Sequence, residues 1–284
     1  MKKFRKGKAS KAIKTQESEE ILVKEVLLKR KKRKIVNLNN IFIYINFIIV
    51  YFILFKLYRL LHEYINKING QIHNNTSDII DYDSIIKQHM RTSIDWPLPK
   101  EIIIKPIMFD EDLKGFLQFM KPENIYFEFG SGGSTNIASY YKLKTYSVES
   151  NVHWHEKLKN SGLNAEYITV DLKVNNNIGR PGPGTTVEDY KKYIQAYKSE
   201  YNADIILIDG RFRVACALDI FSKIRKDTIV LFHDYTPRKQ YHIIENYYIK
   251  VKTWNELALF FKNPNITSIP IDVYNSYLTN PDRR

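Results

Sequence analysis

The sequence predicts an α/β protein built on a doubly wound, mostly parallel β-sheet. Three observations carry that reading. Five short apolar runs between residues 124 and 234 each close on an acidic residue or a His-Asp pair. Helical or loop segments separate these runs, as expected of parallel strands covered on both faces. The first run leads directly into a cluster of small residues, Gly130-Ser-Gly-Gly-Ser134.

Taken in order, Asp110 to Met120 predicts a helix with Leu113, Phe116, Leu117 and Met120 on one face. Ile125 to Phe129 is the first strand, with Glu128 just before the turn. Glycines serve there because they adopt positive φ and let a ligand approach the backbone. Thr135 to Tyr141 then opens a helix, whose first N–H groups suit an anionic group. The second strand, Thr145 to Val148, ends on Glu149; the third, Tyr167 to Val170, on Asp171. The fourth, Asp204 to Ile208, ends on Asp209; the fifth, Thr228 to Phe232, on His233 and Asp234. Lys239 to Asn246 predicts a helix. Tyr247 to Trp254 and Leu257 to Phe261 are β-rich, and Asn255-Glu256 between them reads as a hairpin break. The insertion Asn175 to Ser199 contains Gly179-Arg-Pro-Gly-Pro-Gly184 and a helix from about Val187. Its length fits a lid over a site and an ordinary surface loop equally. Ligands of such sheets bind beyond the carboxyl ends of the strands, where these acids gather.

The dinucleotide fingerprint G-x-G-x-x-G is not met, because Thr135 stands in place of the last glycine. Glu128 would repel a pyrophosphate and attract an ammonium group. Glu149 lies nineteen residues after Gly130, a distance at which a strand-tip carboxylate can accept ribose hydroxyls. The stretch Glu128-Phe-Gly130-Ser-Gly132-Gly-Ser134 resembles the acid-x-Gly-x-Gly-x-Gly motif of class I S-adenosylmethionine-dependent methyltransferases, with Ser134 replacing the last glycine. The likeness covers about residues 110–264 and is strongest in FEFGSGGST, YSVES, DIILIDGRFRVACAL and VLFHDYTPRKQYHIIE. The last two blocks resemble a branch of the family with D-G-R-F-R and D-Y-x-x-R-x-x-Y-H motifs.

The resemblance implies a seven-stranded sheet closed by an antiparallel hairpin, with S-adenosylmethionine as methyl donor. Glu128, Gly130, Ser131, Gly132, Gly133 and Ser134 would hold its amino-acid end, Glu149 the ribose and Asp171 the adenine side. Asp209, Arg211, His233 and Asp234 would serve the acceptor, with His233 the candidate base because an imidazole titrates near neutrality. Asp209 and Asp234 offer oxygen ligands of the kind Mg²⁺ takes. His233 stands where an acid is often found, and a metal site is not favoured.

The formal net charge of +13 is uneven. Residues 1–34 carry 14 Lys/Arg against 4 Asp/Glu, leaving only +3 for the remainder. A nucleic-acid enzyme is expected to carry its positive charge on the folded domain, so no nucleic-acid partner is expected. Residues 1–34 predict a basic disordered arm. The 21 uncharged residues Ile35 to Phe55 predict a membrane anchor over 35–61, with the N-terminus cytoplasmic and the main domain lumenal or exoplasmic. Residues 62–106 read as a linker and 107–284 as the methyltransferase-like domain. Asn74, Asn75 and Asn265 begin N-x-S/T sequons. Cys216, the single cysteine, lies in an apolar run and reads as buried filler. The combined reading is a membrane-anchored methyltransferase acting on oxygen of a glycan or small molecule. Its rivals are a non-catalytic donor-binding module at a membrane and a glycosyltransferase using Asp81 and Asp83.

Overall fold

The computed structural model describes residues 28–30, 46, 50–51, 53–61, 80–174 and 179–280. The chain divides into two compact units, Met1–Ile80 and Asp81–Arg284. In the first, residues 53–61 are helical with exposed side chains. The predicted membrane span over 35–61 is corrected here: among the described residues no helix is long and apolar enough to cross a membrane. The described helical residues 53–61 carry two charges, Lys56 and Arg59. The expected bilayer partner and the lumenal placement fall with the span. Most of the basic arm and the sequons at Asn74 and Asn75 lie outside the described residues, while Asn265 is exposed.

The second unit begins with α1 (Tyr82–His89) and α2 (Asp110–Leu117), so residues 81–106 belong to it. The strands are β1 (Ile125–Phe129), β2 (Lys144–Glu149), β3 (Glu166–Thr169), β4 (Ile205–Ile208), β5 (Ile229–Phe232), β6 (Tyr248–Trp254) and β7 (Leu257–Lys262). The remaining helices are α3 (Gly133–Tyr140), α4 (Val152–Asn160), α5 (Val187–Ile194), α6 (Arg213–Ile220) and α7 (Ile271–Thr279). Lys239–Asn246, expected as a helix, winds as 3₁₀ turns.

The seven strands lie in the order β3-β2-β1-β4-β5-β7-β6. The first five are parallel; β7 runs antiparallel to both of its neighbours. Side chains alternate between two cores. Phe127, Phe129, Ile206, Ile208, Val230 and Phe232 enter one. Tyr126, Ile205, Leu207, Ile229 and Leu231 enter the other. A sheet buried on both faces needs apolar residues at every position, which explains the unbroken runs. The chain order reverses between β1 and β4, and a crevice opens at such a switch point.

Candidate active site

A cleft of about 670 Å³ lies over the ends of β1, β2 and β4, within the usual range for small-molecule sites. Gly130, Ser131, Glu149, Asp209, Gly210, Arg211 and Arg213 line it. The turn must be tight for these strand ends to converge. Gly130 has φ +98°, and a Cβ there would lie 2.7 Å from Gly210 Cα. A Cβ on Gly210 would lie 2.1 Å from Tyr193 Oη. The two glycines let β1 and β4 end back to back, with the α5 phenol seated against them.

Glu149 is 5% exposed and lines the cleft at the tip of β2. Its Oε1 accepts from the N–H groups of Ser150 and Asn151, both at 2.7 Å, and its Oε2 accepts from Ser131 N at 3.2 Å. Burial raises its pKa, against the pull of these N–H donors. A carboxylate has about four acceptor positions, so Oε2 keeps capacity for a ligand hydroxyl.

Glu128 sits elsewhere. It is fully buried and absent from the cleft lining. Tyr126 Oη donates to its Oε2 at 2.8 Å and Ser134 Oγ to the same oxygen at 2.5 Å. Ser147 Oγ donates to Oε1 at 2.6 Å, and Thr135 Oγ1 also donates to Oε1. The reason is the strand period. β1 continues to Phe129, so Glu128 points to the same face as Tyr126. Burial pushes this carboxyl up to about 7, against the downward pull of the four hydroxyls. Asp171 is not brought to the cleft lining either: it pairs with Lys173 at 2.7 Å on the surface. Of the predicted glycine-turn residues, Gly130 and Ser131 line the cleft, and Ser134 turns inward to Glu128. Gly132 has open space around its Cβ position, while a Cβ on Gly133 would strike Pro106 N at 2.0 Å.

Beyond β4 and β5 the charged groups interlock. Arg213 Nη2 lies 3.2 Å from Asp209 Oδ1 and 2.9 Å from Asp234 Oδ2. Arg238 Nη2 lies 2.7 Å from Asp234 Oδ2. Burial favours protonating Asp234, but Arg213, His233 and Arg238 hold it below the usual carboxylate range. His233, 5% exposed, donates from Nδ1 to Asp209 Oδ1 at 2.8 Å. Its Nε2 faces Asp112 Oδ2 at 3.8 Å. Burial disfavours the imidazolium, yet the Asp209 hydrogen bond and charge raise the His233 pKa overall. Phe212 and Asp234 take positive φ, 55° and 56°, just past the ends of β4 and β5. Such non-glycine backbone strain clusters at functional sites.

Asp209, His233 and Asp234 can bring three ligand atoms within 4.8 Å of one another. The residues present do not fit a divalent cation, however. The Arg213 guanidinium already bridges both acids, and a hard cation needs their oxygens at about 2.0–2.6 Å.

Sequence reasoning missed Tyr193, Ser150, Asn151, Trp154 and Asp112. Asn151 carried a readable signal, since its side chain caps α4 by accepting from His153 N and Trp154 N. Trp154 Nε1 then donates to Ser131 O at 2.9 Å, tying α4 to the glycine turn. Asp112 accepts from Glu256 N and Leu257 N at 2.8 and 2.9 Å. Only the fold brings it, from 144 residues away, to the β6–β7 hairpin. Asp81 caps α1 by accepting from Ser84 N, a structural use of the Asp81-Tyr-Asp83 motif. Cys216 is fully buried, and burial pushes its thiol pKa far up.

A methyltransferase-like protein from Silicibacter pomeroyi has a similar structure, with TM-score 0.56 and 24% identity over 63% of this chain and 98% of that one. The chain has the class I methyltransferase fold. Two more methyltransferase structures align less closely. A TehB-like S-adenosylmethionine-dependent methyltransferase from Corynebacterium glutamicum has TM-score 0.34 and 10% identity, over 71% of this chain and 97% of that one. The MycE methyltransferase of mycinamycin biosynthesis has TM-score 0.35 and 13% identity, over 69% and 53%. No protein-family model matches the sequence, and no curated protein matches it. On this methyltransferase fold, the glycine turn after β1 and the acid at the tip of β2 lie on one rim.

Proposed function

We propose that this protein is an S-adenosylmethionine-dependent methyltransferase acting on the oxygen of a small-molecule acceptor. The observation that carries the reading is Glu149: a β2-tip carboxylate beside the glycine turn, with acceptor capacity left on Oε2. The residues fit the donor. Gly130, Ser131 and the open side of Gly132 receive its amino-acid end, and Glu149 accepts from its ribose.

When bound, the donor supplies an activated methyl group on a sulfonium, transferable by in-line displacement. The chain's task is alignment and proton removal. Asp209 Oδ1 is engaged by His233 and Arg213. Oδ2 is left to accept the hydroxyl of the acceptor and to take its proton. His233 serves through Asp209 as a positioning residue, because its Nδ1 is held by the Asp209 carboxylate and its Nε2 faces the buried Asp112. Arg211, in the cleft wall, lends positive charge to the acceptor side. Asp234 holds Arg213 in place. The glycan acceptor expected from the sequence rested on the membrane span and is set aside with it.

Calorimetric titration of the full chain with S-adenosylhomocysteine tests the proposal. One-to-one binding is expected, weakened about tenfold or more in Glu149→Ala by loss of a charge-assisted hydrogen bond. Absence of binding to the folded wild-type chain overturns the reading.

A further inference from the structure

Asp112 of α2 is fully buried and absent from the cleft lining, and its two oxygens face different partners. Oδ1 accepts from Glu256 N and Leu257 N, tying α2 to the β6–β7 hairpin. Oδ2 faces His233 Nε2 at 3.8 Å, within ion-pair reach and beyond hydrogen-bond length. Among the described residues neither of these two buried atoms has a hydrogen-bond partner. A buried polar atom left unpaired is costly, and here two such atoms face each other.

Counting protons decides what the pair is. An ionised Asp209 only accepts, so the 2.8 Å contact to its Oδ1 puts a proton on His233 Nδ1. A neutral ring would then present a bare Nε2 to the Asp112 carboxylate, one acceptor against another. A second proton, on Nε2, gives both atoms a partner. The surrounding charges agree. Asp112, His233, Asp209, Arg213, Asp234 and Arg238 follow one another as alternating acids and cations, with successive contacts of 3.8, 2.8, 3.2, 2.9 and 2.7 Å. Asp234 Oδ1 also lies 3.9 Å from His233 Nδ1. Glu256, on the hairpin, faces the same group, and burial together with the Asp234 charge raises its pKa. Only an imidazolium keeps the alternation unbroken. A neutral ring leaves Asp112 without a cation among the described residues, and an uncompensated buried charge is strongly destabilising.

We propose that Asp112 is a positioning residue that fixes His233 as an imidazolium, so that His233 grips Asp209 by Oδ1 and takes no proton from the acceptor. Resting on the methyltransferase reading, this makes Asp209 Oδ2 the one proton acceptor of the pair and gives α2 a part in the reaction. The two oxygens of Asp112 divide the work: Oδ1 fastens the hairpin and Oδ2 sets the state of the histidine.

The test is ¹⁵N NMR of the full chain with labelled histidines, the His233 signals being assigned by their loss in His233→Gln. In wild type both ring nitrogens should carry protons at pH 7. Asp112→Asn separates the two tasks, because its amide oxygen keeps the hairpin N–H groups while its NH₂ turns toward Nε2. His233 should then hold a proton on Nδ1 alone at pH 7, its proton affinity lowered about tenfold or more, the scale of losing an opposite charge at this range. A purely structural Asp112 would leave the state of Nε2 unchanged. Affinity for S-adenosylhomocysteine, read by calorimetry, should stay within about twofold in Asp112→Asn, since Asp112 does not line the cleft. A bare Nε2 in wild type, or an Nε2 proton held equally in Asp112→Asn, overturns the inference alone. Failure of wild type to bind S-adenosylhomocysteine overturns the methyltransferase reading and leaves the NMR result standing. Should Asp112→Asn not fold, the carboxyl ¹³C signal of Asp112 in wild type should move in step with loss of the Nε2 proton as the pH is raised; a signal that does not respond overturns the inference.

Discussion

Replacing Glu128 by Gln removes a buried charge while keeping the side chain's shape, and its effect on stability follows from proton linkage. The folded carboxyl sits at about 7 against an ordinary 4.5. Between those values the folded state holds a proton that the unfolded chain has lost. Stability from this group is therefore full below about 4.5 and declines as the pH rises toward 7. At 1.36 kcal/mol per pKa unit, the shift amounts to about 3 kcal/mol lost across that window. The Gln variant does not titrate and lacks this decline. His233 also titrates here: its raised pKa gives stability that is present below its unfolded value and lost as pH rises through the folded one. That slope is common to both proteins and cancels in their difference. Urea unfolding at pH steps from 4.5 to 8, read by tryptophan fluorescence, gives the difference directly. Wild type should lose about 3 kcal/mol relative to the variant over that range, with similar m-values. A difference that stays flat with pH refutes the claim that Glu128 is a buried, titrating carboxyl.

Three other perturbations probe the remaining parts of the site. Gly210→Ala places a methyl 2.1 Å from Tyr193 Oη and 2.9 Å from Gly130 N; it should cost about 1–3 kcal/mol in unfolding free energy and weaken S-adenosylhomocysteine binding. Asp209→Asn should leave S-adenosylhomocysteine affinity within about twofold while lowering methyl transfer at least about a hundredfold, the scale of lost general-base catalysis; calorimetry and turnover with an acceptor separate the two. Arg213→Ala leaves Asp209 and Asp234 without their shared guanidinium. Added Mg²⁺ should then raise the melting temperature of that variant and not of wild type.

Much of the sheet was legible because strands buried on both faces must be apolar throughout, and runs such as Ile205–Ile208 have no other plausible use in that setting. The turn was legible because Gly130 and its neighbours are small residues at a place where a bulky one does not fit. Two kinds of information were hidden. One was the direction of a single side chain: Glu128, expected at the site because it precedes the turn, shares a face with Tyr126 by the strand period and is buried there. The other was distance along the chain. Tyr193 packs against Gly210, and Asp112 faces His233, only after the crossovers have closed. The expected membrane span failed for a different reason: among the described residues no helix is long and apolar enough to cross a membrane, and residues 53–61, inside the expected span, carry two cations.

The strand-end acids are similar in sequence and different in effect, and their partners decide which is which. After β4 and β5 the chain repeats an Asp followed four residues later by an Arg, Asp209 with Arg213 and Asp234 with Arg238. Each pair neutralises itself within one turn, and Arg213 also reaches across to Asp234. Among the described residues Glu149 has no such cation; backbone N–H groups stabilise its charge and leave it an acceptor. Among the described residues Glu128 has neither, and burial pushes it up to about 7 against the pull of four neutral hydroxyls. Acids engaged this way have little free negative charge to offer a metal. What the site retains is a set of directed acceptors, and a ligand rich in N–H and O–H donors is the chemistry that matches them.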